Sequence, residues 1–467
     1  MKIFRSLLAL VLLSFFIGCQ LQEPSVKQSE PVQINQTTQQ LFASFVALGN
    51  SLTAGYQSAA LTAKYQEYSF VNQIAKQAGY NDFQQPLLAW PGIGSYTTKG
   101  AGILVFNGFD AEGNPIIGPV PYATTGFDPF NPFLSAEVAT LPRPYNNLGV
   151  PAAVLADLDS AISAAQSYSG SAFFDIVLRN PNLGNTTALD QALMLRPTLV
   201  SLWIGNNDVL GYATSGGTNP AAPTDKDVFG YLYDGLLAKL TGAGAKVVVA
   251  NIPDVTSIPF FTTVPYMVEV QGQNVALVIQ ATDGVRQATA EDLILLSAKS
   301  IIGDVSGTYG PAGVPVGFDP SAPLPSALVL DKDEKAIAQQ AVADFNATIE
   351  GLVAKYAGQV AFVDINKLLM DAADEDGYVI AGIKFTTQYL TGYIFSLDGV
   401  HPSNIGYALV ANEFITAINE TFGANVPTID ILQFMEEQKP VKLDVAKTAS
   451  LPDLTTLPEI FGGKITL

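Results

Sequence analysis

The chain has 467 residues, 48% of them hydrophobic and only 14% charged, enough apolar material for a substantial core in one domain with insertions, or in two. Its 23 basic and 42 acidic residues leave a net charge of −19, a field that repels polyanions and argues against nucleic-acid binding or charge-driven adsorption to an anionic membrane. One cysteine excludes an internal disulfide framework and cysteine-based metal sites, and one histidine leaves little for any other transition-metal centre.

Residues 1–18 read as a targeting segment. Lys2 and Arg5 precede the apolar stretch LLALVLLSFFIG, which is short for a bilayer span and has the layout of a signal peptide. The stretch ends FIGC, with Cys19 after the small Gly18. This resembles a bacterial lipoprotein lipobox, with Phe16 where leucine is more usual. The resemblance implies cleavage before Cys19, lipidation of its thiol and anchoring of the mature chain in a membrane. Gln20 follows Cys19, which by resemblance to enterobacterial sorting points to the outer membrane of the cell envelope. Residues 19–40, rich in Gln, Ser, Glu and Pro, have the composition of a flexible tether.

The folded part is expected over 41–422. LFASFVALGN is an apolar run ending in a turn, and PTLVSLWIGNND, AKVVVANIPD and GQVAFVDIN repeat the pattern. None alternates, as expected of parallel strands buried on both faces. Helical periodicity fills the intervals: DVFGYLYDGLLAKLTGAG before the third strand, DEKAIAQQAVADFNATIEGLVAKYAG before the fourth, and SNIGYALVANEFITAINETFG, which stops at Gly423. Alternating strands and helices imply an α/β fold with a mostly parallel sheet covered on both sides. Two long insertions interrupt the rhythm, near 92–145 and 255–330. The first is rich in Gly, Pro and Phe; the second mixes turns with a short helical piece, TAEDLILLSAK. Residues 423–467 have little periodicity and are expected to be a C-terminal extension that wraps the surface.

Three stretches carry chemistry. In FVALGNSLTAGY, Ser51 follows a buried strand between Gly49 and Gly55, at the ligand edge of an α/β sheet; alone it could be a helix N-cap. In SLDGVHPSNIGY, Asp398 precedes His401 by three residues, placed to hold one ring nitrogen and leave the other free as a base. In LWIGNNDVLG, Gly205, Asn206, Asn207 and Asp208 follow a strand end, and an asparagine amide is a good neutral donor to an oxyanion. No compact carboxylate cluster has ligand spacing, so neither metal nor other cofactor is expected.

Together the stretches GNSLTAG, GNND and DGVHP resemble, in order, the sequence blocks of the SGNH (GDSL-type) hydrolase superfamily, and PTLVSLWIGNNDVLGY with NLGVPAA resembles its bacterial lipoprotein branch. The resemblance implies a flavodoxin-like three-layer α/β/α sandwich. It implies Ser51 as nucleophile, His401 as general base and Asp398 as its orienting partner. Ser51 N–H and the Asn207 side chain would donate to the oxyanion. The remaining block pairs an asparagine with a glycine five residues on. YNNLGVPAAV offers Asn147 and Ala152. Gly92 and Gly94 are the alternative donors but have Leu87 and Ala89 five residues upstream. Alanine can supply the N–H unless the site requires positive φ. Gly49, Asn50 (aspartate in the family pattern), Asn147, Gly205 and Asp208 are supporting positions.

The implied activity is hydrolysis of carboxylic esters through an acyl-enzyme, lipase or esterase in type, acting at the cell envelope on lipid or other acyl esters. Phe127, Phe130, Phe133 and Tyr145 in the first insertion are candidates to line an acyl groove. Carbohydrate O-acetyl ester hydrolysis is the alternative activity, and a non-catalytic, ligand-binding surface lipoprotein is the alternative of another class. The sequence leaves the oligomeric state open.

Overall fold

The computed structural model describes residues 33–438 except Glu112 and Asn114; the signal segment, Cys19, most of the tether and the end of the C-terminal extension lie outside the described residues. Five parallel strands form the central sheet: β1 (Phe45–Gly49), β2 (Asn147–Gly149), β3 (Leu199–Trp203), β4 (Lys246–Ala250) and β5 (Val360–Val363), in the order β5-β4-β3-β1-β2. This is the flavodoxin-like order, in which the chain reverses direction across the sheet between β1 and β3. The edge strand β2 is too short for any sequence period to reveal it.

Both faces of the sheet are covered, which is why β1 and β3 read as unbroken apolar runs. Val46, Leu48, Val200, Leu202, Val247 and Val249 belong to one core cluster, and Phe45, Ala47, Leu199, Trp203, Val248 and Ala250 to another. Alternate residues of a strand point to opposite faces, so β1, β3 and β4 each feed both cores. The flanking helices are α1 (Ser51–Ala54), α2 (Phe70–Gln77), α3 (Asn207–Ala213), α4 (Lys226–Gly242), α5 (Lys332–Lys355), α6 (Ile365–Ala373) and α7 (Asn404–Phe422). Helices α4 and α5 cover the first face, with Phe229 of one stacked on Phe345 of the other at 4.0 Å between ring centroids. Helices α2 and α7 cover the second, through Phe70, Ile74 and Phe414.

The helix ends follow from local chemistry. Asp331 accepts the Asp333 and Glu334 N–H groups while Glu334 returns a bond to the Asp331 N–H, a capping box that starts α5. Ser403 caps α7 by accepting the Gly406 N–H, and Gly423 ends it in the left-handed conformation at φ 71°.

The insertions are more ordered than their composition suggests. The first contains an antiparallel hairpin of Ala101–Phe109 with Pro115–Pro121. The second builds its own core from residues including Val264, Ile279, Ile294 and Leu324. Its expected helix, TAEDLILLSAK, is not one: Leu293–Ile294 pairs with Val329–Leu330, and Leu296–Ser300 is a 3₁₀ turn. A segment this short gains little from helix formation alone, so pairing and burial decide its shape.

Ordered structure also begins before Leu41, inside the stretch read as tether. Asn35 caps the helix Gln36–Leu41, and the buried Thr38 hydroxyl donates to Asn425 at 3.0 Å, tying this segment to the one after α7. Beyond Gly423, Val426 and Ile429 bury against the second core and Ile431–Gln438 is helical. No helix among the described residues is long and apolar enough to cross a membrane.

Candidate active site

Strand β1 ends at Gly49, and Ser51 opens α1 immediately after it. A side chain at Gly49 has no room: its Cβ would lie 2.5 Å from the Trp203 carbonyl of β3. Asn50, fully buried, accepts the Leu52 N–H at 3.0 Å and thereby caps α1. Its amide also donates to the Asn206 side chain at 3.2 Å, which links the ends of β1 and β3. An aspartate here could cap but not donate, so asparagine suits both contacts. Buried Asn147 donates to the Thr53 carbonyl at 2.9 Å and fastens the far end of α1 to β2.

Asp398 and His401 sit on the turn before α7. His401 Nε2 lies 2.9 Å from Ser51 Oγ, and Nδ1 lies 2.9 Å from Asp398 Oδ2. Asp398 also accepts the N–H groups of Ala59, Val400 and His401 and the Ser396 hydroxyl. Burial opposes its charge, but the His401 side chain and the His401 and Val400 N–H groups outweigh burial and hold the carboxyl at about 2. It is therefore an anion at any working pH. The Tyr56 ring packs 4.6 Å from the imidazole, and the Tyr56 hydroxyl is engaged by the Ala59 carbonyl.

Ser396, Ser58 and Ala59 were not singled out in the sequence. Ser58 and Ala59 adopt φ of 51° and 64°, a left-handed pair without glycine. The strain, about 1 kcal/mol or more per residue, aims the Ala59 N–H at the carboxylate. No sequence signal marks such positions. Ser396, two residues before Asp398, was the more legible of the three. Gly92 and Gly94 lie behind this segment: Gly94 pairs with Ala60, and a Cβ on Gly92 would collide with the Leu61 carbonyl.

On the other side of Ser51, the Ala153 N–H donates to the Val150 carbonyl at 3.0 Å and closes a turn with Pro151 second and Ala152 third. Ala152 has φ 69°. Its position is therefore the one where a type II turn calls for glycine, and the condition under which alanine is costly is met here. The next three residues are each clamped. Asn207 donates to the Ala153 carbonyl at 2.8 Å, Asp157 accepts the Val154 N–H at 3.0 Å, and Asp208 accepts the Leu155 N–H at 2.9 Å. Among the described residues, the Ser51 and Ala152 N–H groups have no intramolecular acceptor. Asn207 keeps a second amide proton and lines the same recess as Ser51 and His401.

Asp208, 2% exposed, also accepts the Thr224 hydroxyl at 2.9 Å. Burial pushes its carboxyl up to about 7, against the pull of Leu155 and Thr224 and with a further push from Asp157. Gly205, at φ 108°, lets the chain turn from β3 into α3 where a side chain would strike Phe229 and Ile252.

The aromatic groove expected from the first insertion does not form. Phe130 is 96% exposed, and Phe127 and Phe133 pack on the first core. Tyr145 is buried, donating to the Val138 carbonyl at 2.6 Å beneath the Arg179 guanidinium. Aromatics of this insertion were free to pack inward, and three of the four did. The recess beside Ser51 is lined instead by Trp203, Phe395 and aliphatic residues, among them Leu210 of α3, Leu368 and Leu369 of α6, Leu409 and Val410 of α7, and Val255 and Ile258 at the start of the second insertion. Among the described residues, no group of three His, Cys, Asp or Glu side chains could hold a metal ion.

A flavodoxin-like parallel sheet that brings serine, histidine and aspartate into one hydrogen-bonded line at its switch point defines the SGNH-type hydrolase class. The chain matches the family model of the GDSL-like Lipase/Acylhydrolase over residues 45–414, most of its length, and belongs to that family, a family of ester hydrolases. No curated protein matches the chain.

Proposed function

We propose that the protein is a serine ester hydrolase working through an acyl-enzyme. The observation that carries this reading is the continuous line Asp398–His401–Ser51, with both links at 2.9 Å. Asp398 fixes the Nδ1–H tautomer, so Nε2 accepts the Ser51 proton as Oγ attacks the ester carbonyl. The Ser51 and Ala152 N–H groups and the Asn207 amide receive the oxyanion. His401 returns the proton to the leaving alcohol, and water then clears the acyl group from Ser51 by the reverse path. Labelling with a fluorophosphonate probe tests this directly. Wild type should form a Ser51 adduct and Ser51→Ala should not; an unlabelled wild type would favour a non-catalytic binding protein.

The same reading places the protein at the cell envelope, held in a membrane through a lipid on Cys19, with the outer membrane as its site. The basic-then-apolar leader and the lone cysteine after Gly18 support it. Metabolic labelling with a clickable fatty acid should mark the wild type and not Cys19→Ala.

A further inference from the structure

The left-handed pair Ser58–Ala59 stands between the catalytic turn and the first insertion. Gln57 and Ala60 exchange both backbone hydrogen bonds, at 3.0 and 3.1 Å, so the pair is the tip of a two-residue turn. Positive φ at both central positions is the type I′ signature, ordinarily met by Asn-Gly. Here both residues are buried, and neither has glycine's freedom. Strain of this kind persists only where the surroundings over-determine the backbone.

One side of the turn is held by the catalytic segment. Ser396 Oγ accepts the Ser58 N–H at 2.9 Å, and Ser58 Oγ accepts the Leu397 N–H at 3.3 Å. The Ala59 N–H reaches Asp398 Oδ2 at 2.8 Å, the same oxygen that faces His401 Nδ1. The other side is held by the first insertion. Leu104, in the hairpin, donates its N–H to the Ser58 carbonyl at 2.9 Å, and Ser95 donates its N–H to the Ala59 carbonyl at 3.0 Å. The Tyr56 hydroxyl donates to the same Ala59 carbonyl at 2.7 Å. Gly94 permits this approach, since a Cβ there would collide with that carbonyl.

The Ser58 carbonyl and the Ala59 N–H are the two ends of one peptide group. A donor on the carbonyl polarises the amide and strengthens the bond that its N–H makes. A continuous chain therefore runs from the Leu104 N–H through the 58–59 peptide to Asp398 Oδ2 and His401 Nδ1. We propose that the first insertion is a positioning element of the catalytic site, and that Leu104 and Tyr56 are the positioning residues through which it holds Asp398. The other ionisable groups near the carboxylate are Tyr56, Tyr389 and Tyr407. Burial raises all three, so they stay neutral, and the imidazole's titration reports on Asp398.

The inference rests on the serine-hydrolase reading above, but its test can be read apart from it. Full-length protein isotope-labelled at histidine gives one imidazole signal by NMR, because His401 is the only histidine. Leu104→Pro removes the donating N–H at a residue whose predecessor, Ile103, is already extended in the strand. With the Ala59 bond weakened, the carboxylate attracts the imidazolium proton more strongly. The imidazole titration and the acid limb of kcat/KM should both move to higher pH by about one unit. Leu104→Ala, which keeps the N–H, should leave both where the wild type has them. Tyr56→Phe keeps the ring beside His401 and should move both in the same direction by less; it decides alone if the proline variant does not fold. Titration and limb unmoved in Leu104→Pro and Tyr56→Phe would reduce the insertion to scaffolding and overturn the proposal. A wild type that the fluorophosphonate probe fails to label would sink the serine mechanism alone, since the imidazole titration does not depend on turnover.

Discussion

Ser51 Oγ and His401 Nε2 meet at 2.9 Å across 350 residues of sequence. One belongs to the turn after β1 and the other to the turn that leads into α7. The distance is within the reach that proton transfer requires without further movement. His401 is the only histidine in the chain, so no second imidazole can substitute. Ser51→Ala and His401→Gln should each lower kcat by about 10⁴-fold or more. Steady-state ester hydrolysis measures it, and near-wild-type turnover in either variant would remove that residue from the reaction.

Asn207 has two tasks, holding the Ala153 carbonyl and facing the recess. Asn207→Ala should lower kcat by ~10²–10³-fold with a smaller change in KM, as expected of a donor used mainly in the transition state. A KM effect alone would assign Asn207 to substrate binding.

Ala152 occupies a left-handed position without glycine's freedom. Ala152→Gly relieves that strain but loosens the unfolded chain, so the net expectation is stabilisation of up to about 1 kcal/mol. Urea denaturation reports it as a raised midpoint. A lowered midpoint would mean that the methyl group packs more usefully than its exposure suggests.

Asp398 accepts the Ser396 hydroxyl at 3.1 Å, a donor to the charged carboxylate. In Ser396→Ala the carboxylate has one donor fewer and attracts the imidazolium proton more strongly. The acid limb of the kcat/KM profile should therefore move to higher pH, and Ser396→Thr, which keeps the hydroxyl, should restore it. A merely structural role for Ser396 would lower the whole profile without displacing the limb.

Asp208 makes stability depend on pH in the direction opposite to most carboxylates. Folded, it keeps its proton to about pH 7; unfolded, it releases it near 3.8, the ordinary value for an aspartate. Between these values the folded state binds more protons, so this group's contribution to stability falls as pH rises and levels off above 7. Asp208→Asn can still accept the Leu155 N–H and pair with Thr224. It should flatten that slope and stabilise the protein at pH 8 by on the order of 3 kcal/mol. Urea titrations at pH 5 and pH 8 decide it; an unchanged pH dependence would show that Asp208 is ionised throughout.

Much of this molecule was legible in the sequence because its signals are local. Buried parallel strands read as unbroken apolar runs, Gly423 stops α7, and Ser51, Asn207 and Asp398 with His401 each sit in a short motif beside a predicted strand or helix. The order of those motifs, and the family they resemble, indicated that they belong to one site. Contacts between distant segments were not legible. The left-handed Ser58–Ala59 pair that braces Asp398 carries no glycine to announce it. The strand Asn147–Gly149 is too short to show a period, and the apolar stretch at 293–295 took its form from pairing with Val329–Leu330. The aromatics of the first insertion suggested a groove by composition alone, yet a side chain's partner is set by packing. The recess beside Ser51 is instead assembled from apolar residues, Trp203 and Phe395 among them, on segments that the sequence keeps far apart. Local chemistry wrote the reacting groups into the sequence; only the folded chain decided what surrounds them.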